Sequence, residues 1–216
     1  MPFGLSPATL LARLIVLVIG FPIHEWAHAW SADRLGDSTP RWEGRLSLNP
    51  MAHLDILGSI SLLLTGFGWA RPVPVNPYRM RVAPRAGMAL SAFAGPASNL
   101  LVAMVCAIPF RLGWVSLSDL YTATNPLTLA VLLWSVSQVS IGLALFNLLP
   151  FFPLDGEKVL VGVLPPRWGD RLLALRPYSP YILMGLLFVL PYLGLDIIGF
   201  LIGLVWRPLQ LLLFWL

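Results

Sequence analysis

The chain has 216 residues, of which 57% are hydrophobic and 11% charged, with a mean hydropathy of +0.79. Soluble domains are about 45–50% apolar and about 25% charged, so this chain has too few polar side chains to cover a water-soluble globule; disorder, which needs low hydrophobicity and high net charge, is excluded too. The net charge of +4 rests on thirteen Arg and one Lys against seven Asp and three Glu. Because the Arg cluster beside apolar segments, they mark the cytoplasmic side of a membrane rather than a nucleic-acid surface.

Spans need about 20 apolar residues, and the chain is expected to be an all-α polytopic membrane protein with about five to six membrane segments in one domain, residues 1–216. The first stretch runs from about Pro7 to Trp30 and contains a charged group instead of a cleavage site, so it reads as a retained span and not as a signal peptide. Residues Arg41 to Leu48 alternate around Gly44, which predicts a short β-hairpin. Leu54 to Trp69 is short, rich in Gly and flanked by basic residues at both ends, which predicts a re-entrant or interfacial segment. A third span covers roughly Ala86 to Pro109 and a fourth Leu127 to Leu149. The stretch Tyr178 to Leu216 is long enough for a helical hairpin broken at Pro191, Gly194 and Asp196. Arg34, Arg41 and Arg45, then Arg71 to Arg85, then Lys158 to Arg176 place one set of loops in the cytoplasm, whereas Leu112 to Pro126 has no basic residue and is expected outside. Trp114, Trp168 and Trp215 read as interfacial anchors, and Arg207 as a snorkelling side chain. Cys106, the single cysteine, lies in an apolar run and rules out a disulfide framework or thiolate cluster.

The chemistry concentrates in His24-Glu25-Trp26-Ala27-His28, near the end of the first span. Positions i and i+4 share one helix face, so both imidazoles reach one Zn²⁺, and Glu25, one step round, is placed to take a proton from water. Two buried imidazoles and a carboxylate at membrane depth are costly without a purpose. A catalytic zinc site normally has a third protein ligand. Asp155, in Asn147-Leu-Leu-Pro150-Phe-Phe-Pro153-Leu-Asp155-Gly156, follows a proline-broken span end, where it serves either as that ligand or as a helix cap. His53, with Asp55 two residues on, would orient a ligand, replace Asp155, or cap the re-entrant stretch. Asn99 lies in a span where Gly95 and Ala97 permit close helix approach, and an Asn there serves at least as helix–helix glue.

His24 to His28, then Gly95-Pro96-Ala97-Ser98-Asn99, then Asn147 to Gly156, in this order and on separate spans, resemble the site-2 protease family of intramembrane zinc metalloproteases. Gly44 to Asp55 and Arg71-Pro-Val-Pro-Val-Asn76-Pro77 resemble its small bacterial branch. The resemblance implies that His24, His28 and Asp155 bind one Zn²⁺, that Glu25 is the general base, and that Asn99 and, with less support, Asn147 hold the substrate backbone or oxyanion. It also implies that the hairpin is a membrane-associated β element that binds an unwound substrate by strand addition. No PDZ domain fits between the third and fourth spans, and no pair of CBS domains follows the last one. The expected activity is zinc endopeptidase cleavage within or near the helix of a single-span membrane protein, at the cytoplasmic side of the inner (plasma) membrane. The rivals are a non-catalytic zinc binder or transporter, disfavoured by an intact Glu25 and by ionisable residues gathered at one depth, and a different membrane metallopeptidase with Glu or His as third ligand.

Overall fold

A computed structural model describes residues 7–66, 68–122 and 128–214. Helix α1 (Pro7–Ile15) passes through a π-helical turn, Val16–Gly20, into α2 (Phe21–Leu35), making one continuous span. The one-turn α3 (Thr39–Trp42) and the ten-residue α4 (Ile56–Thr65) precede the 28-residue α5 (Pro84–Arg111). After the short α6 (Asp119–Thr122) come α7 (Leu129–Asn147), α8 (Asp155–Val163) and α9 (Pro166–Ala174). The chain ends in α10 (Ser179–Met184), α11 (Leu190–Tyr192) and α12 (Ile197–Phe214). Four helices are long and apolar enough to cross a membrane, or five if α9 and the bent run Ser179–Tyr192 form one broken span. The protein is therefore all-helical and multi-pass.

Residue size explains how the helices pack. Ala29, Ala32, Ser91, Ala92, Ala103, Ser137, Ser140 and Ala144 are buried where α2, α5 and α7 meet, while Leu14, Val18, Leu101, Val105, Leu204 and Leu212 are exposed. Small residues at the seams let backbones approach, and the large apolar ones are left to face lipid. The Ser137 hydroxyl donates to the Ala103 carbonyl across one such seam at 3.3 Å.

The loops next to the end of α2 are tied by buried side chains. Asp37, fully buried, accepts from Thr39 N at 3.0 Å and Asn76 N at 2.6 Å, and Arg81 N donates to Leu35 O at 2.8 Å. The predicted hairpin at Arg41 to Leu48 is not present, and no strand occurs among the described residues. Pro40 starts a helical turn instead, Arg41 is drawn back to Asp33 by a two-point ion pair, Gly44 turns with φ 69°, and Arg45 N returns to Pro40 O at 2.8 Å. Local helical hydrogen bonding and the left-handed glycine override the short alternating pattern.

The re-entrant expectation fares differently. Asp55 caps α4 by accepting from Gly58 N at 2.8 Å, Gly66 closes it, and Leu54 then pairs with Ala70 in an isolated antiparallel bridge. The two ends of the segment are thus side by side, and ten residues rise only about 15 Å. Segment 54–70 enters and returns from the same end of the bundle. At that end lie Leu35, Pro84, Asn147 and Asp155, together with the arginines of 34–85 and 167–176. Arg111 bonds Leu213 O at 3.0 Å at the opposite end. Trp114 and Trp168 are well exposed; Trp215 and Pro126 lie outside the described residues.

This geometry predicts a labelling result. In a Cys106→Ser background, Tyr78→Cys and Ser118→Cys should react with an impermeant maleimide from opposite faces of the membrane; labelling from one face would overturn the reading of α5 as a span between the two loops.

Candidate metal centre

His24 and His28 project from one face of α2, their ring centroids 4.6 Å apart and their planes at 88°. Both are buried. Asp155 is the first residue of α8, and its carboxylate does not cap that helix, whose N-cap is Leu154 with no side-chain bond. It turns instead to α2, placing Oδ2 3.0 Å from the Nε2 of both histidines. One donor atom from each of the three residues lies within 4.8 Å of the others. Gly95 of α5 makes the room: a Cβ there would sit 2.5 Å from His28 Nε2 and 2.7 Å from His24 Nε2.

Proton accounting decides what this cluster fits. His28 Nδ1 lies 2.7 Å from the Ser91 carbonyl, an acceptor only, so Nδ1 carries the proton and Nε2 offers a lone pair. His24 Nδ1 lies 3.2 Å from the Asn99 amide, and Asn99 is fully buried with its Oδ1 lacking a partner. The two ends of an amide are interchangeable in outline. Turned over, Oδ1 accepts the His24 Nδ1–H while Nδ2 takes the unpartnered place, and His24 Nε2 then also offers a lone pair. Two imidazole lone pairs and a carboxylate oxygen then face one another, an arrangement that calls for a cation. The three residues could hold a metal ion, and N₂O donor sets of this kind occur in catalytic zinc sites.

The other candidate residues take distinct places. Glu25, half-buried, lines a cavity of about 900 Å³ together with His24, His28 and Asp155. Asn99 is enclosed against His24 rather than in that cavity's lining. Asn147 lines the cavity but spends an amide N–H on Leu143 O at 2.9 Å. His53 is fully buried, directs Nε2 to Ser47 O at 2.6 Å, and lies outside the three-residue donor group. Glu157, the only other acidic residue nearby in sequence, is held by Arg176 through two 2.8 Å bonds. Arg45 anchors the loop beside the site by bonding Ala52 O at 2.6 Å; burial first, then neighbouring Arg71, pushes its pKa down against the pull of Glu25 and Glu43.

Lys158 was not singled out as a site residue by the sequence reading. Its ammonium lies 3.1 Å from Asp155 Oδ1, leaving Oδ2 to the histidines. The signal was available: it is the chain's single lysine, three residues past Asp155 and so on the same helix face. The contribution of the Ser91 carbonyl could not be read from side-chain identity at all.

No family model matches the chain, and no solved structure does. A protein of Bacillus subtilis (strain 168) named "Putative zinc metalloprotease YwhC" is 37% identical over 190 residues, covering 86% of this chain and 84% of the relative. With that identity over most of both chains, and with a buried N₂O donor set beside a helix-borne glutamate, the chain belongs to the zinc metalloprotease family of that relative.

Proposed function

We propose that the protein is an intramembrane zinc endopeptidase of the site-2 protease type, cleaving single-span membrane proteins within or near their transmembrane helices. The observation that carries this is the convergence of His24, His28 and Asp155 on the wall of an apolar cavity inside a bundle of membrane-length helices. Zinc, when bound, supplies Lewis-acid polarisation of a carbonyl and acidification of water.

The chain's own residues do the rest. Glu25 takes a proton from the attacking water and returns it to the departing amide nitrogen. Ser91 O and Asn99 fix the two ring orientations, and Lys158 fixes Asp155. The cavity wall formed by Val16, Phe21, Leu62, Leu143 and Phe146 is apolar and suits apolar side chains. The same reading puts the basic end of the bundle, and with it the site, on the cytoplasmic side of the inner membrane.

An unwound substrate needs partners for its backbone. Residues 70–75 supply them. Arg71, Val73 and Asn76 each precede a proline, which forces extended backbone. Ala70, Pro72, Val73 and Val75 line the cavity. Val73 and Val75, two apart and so facing one edge, have no backbone partner among the described residues. Pro72 and Pro74 remove the donors of the opposite edge. Substrate is thus held by strand addition on this proline-alternating segment.

Three outcomes test the reading. Glu25→Gln should keep about one zinc per chain and abolish cleavage of a reconstituted single-span substrate; retained cleavage would remove Glu25 as the base. Asp155→Ala should strip zinc, Asn99→Ala should weaken zinc about 10–100-fold in a chelator competition, and His53→Ala should leave it in place; zinc loss in the His53 variant alone would mean a different ligand set. Val75→Pro should cut cleavage about tenfold or more with zinc content unchanged, while Val75→Ala should cost little, since a strand donor is lost only in the first. Equal rates for that pair would place substrate pairing elsewhere.

A further inference from the structure

Attack of water on a peptide carbonyl moves an electron pair onto the carbonyl oxygen, and an apolar cavity stabilises that charge only through a donor placed for it. The side chains around the metal centre are mostly committed elsewhere. Asn99 is turned to His24 and is absent from the cavity lining, and Asn147 spends an amide N–H on Leu143 O at 2.9 Å. The Ser91 hydroxyl donates to His28 O at 3.2 Å, and the Nδ1 positions of His24 and His28 face Asn99 and Ser91 O. Among the described residues that line the cavity, Lys158 is the one Lys or Arg.

Lys158 sits in the first turn of α8, three residues after Asp155, with its ammonium 3.1 Å from Asp155 Oδ1. An ammonium carries three N–H donors and no acceptor. That contact uses one of them, and no second hydrogen bond from it occurs among the described residues. Asp155 Oδ2 is the atom shared with both histidines, so the ammonium stands one carboxylate away from the point where the three ligand atoms converge. Its side chain is 32% exposed, neither enclosed in the ion pair nor released to the surroundings. The positive end of the α8 dipole lies at the same place. An i,i+3 pair alone would be served as well by arginine, the residue used at the thirteen other basic positions. Lysine differs in its flexible stem and rotatable donors. It can follow an oxygen as the carbonyl carbon turns tetrahedral while another N–H stays on Asp155.

We propose that Lys158 is a catalytic residue of the proteolytic site, donating an N–H to the substrate's carbonyl oxygen as that oxygen becomes an oxyanion. The proposal rests on the proteolytic reading of the cavity. The water oxygen bonds to the carbonyl carbon as Glu25 takes a water proton, and the π pair of the C=O bond passes to the oxygen held by Lys158. That pair then re-forms the double bond, the C–N pair leaves with the nitrogen, and Glu25 gives its proton to that nitrogen. The products are one carboxyl and one amine terminus, and Lys158 keeps its protons throughout. Holding Asp155 and holding the oxyanion are separable, because they use different N–H groups.

The test compares the unsubstituted chain with Lys158→Met and Lys158→Arg, each reconstituted at saturating zinc with a single-span substrate. Lys158→Met keeps an apolar stem and removes the donors. It should lower kcat about 10²–10³-fold while KM stays within about twofold, and Lys158→Arg should recover part of the loss. Zinc content should match that of the unsubstituted chain in both variants. A phosphinic peptide, whose anionic tetrahedral phosphorus imitates the adduct, should lose affinity for Lys158→Met by about the same factor as kcat/KM. Binding of intact substrate to the Glu25→Gln chain should be the same with and without Lys158→Met. Unchanged cleavage by Lys158→Met, unchanged phosphinic affinity, or a loss seen at low zinc and restored at saturating zinc would overturn the proposal; the last would leave Lys158 as a positioning residue for Asp155 alone. Absence of cleavage by the unsubstituted chain would remove the protease and this role together, whereas equal cleavage with and without Lys158→Met would remove this role alone.

Discussion

Two imidazole nitrogens, each 3.0 Å from the same carboxylate oxygen, must be held inside an apolar bundle, and much of the architecture follows from that requirement. The histidines are one turn apart on α2, but Asp155 comes 131 residues later than His24, on a different helix. Bringing the two together places α5 between them as a spacer, and α5 meets this demand by having no side chain at Gly95 and by offering the Ser91 carbonyl and the Asn99 amide on either side of it. These three positions are four apart along α5 and share one face. One helix stripe thus sets the clearance and both imidazole tautomers.

The same economy governs polar groups elsewhere in the bundle. A buried polar or charged group needs a partner, and several here have one: Asp37 takes three donors from Thr39 and Asn76, Glu157 is held by Arg176, and Gln138 pairs with Gln210. Matching of this kind fixes loops that would otherwise be free to shift relative to the site. Asp37 ties the end of α2 to the 71–76 segment, so the histidines and the extended cavity edge are positioned by one carboxylate.

What could be read from the sequence divides along the range of the interactions involved. The His24–His28 pair, Glu25 and the lengths of the long spans are set by helical periodicity and apolar run length, both local, and they read directly. Asp155 was ambiguous between ligand and cap because both readings place an Asp at a helix start; only the direction of its carboxylate, a tertiary fact, separates them. The Arg41 to Leu48 hairpin misled for the opposite reason: four alternations are a weak strand signal, and a two-point ion pair from Arg41 to Asp33 with a left-handed Gly44 outweighs it. Asn99 was read as a substrate-facing group from the resemblance, whereas its burial against His24 depends on how α2 crosses α5, which no single-sequence pattern encodes.

The short α4 makes sense in the light of what an unwound helix needs in a membrane. Every backbone N–H and C=O freed by unwinding must find a partner, because hydrocarbon offers none. A full-length span after α2 would have carried the following segment to the opposite face. With ten residues and ends tied by the Leu54–Ala70 bridge, α4 returns the chain to where it started, so that Pro72, Val73 and Val75 line the same cavity as His24, His28 and Asp155. Prolines at 72, 74 and 77 then keep that segment extended without a partner strand, an arrangement that is stable alone because proline sets φ and leaves fewer unsatisfied donors. A segment already extended and already carrying free groups on one edge loses little further entropy when another chain pairs with it. Under the proposed activity, the cost of unwinding a substrate would thereby be offset beside Glu25 and the His24, His28 and Asp155 group.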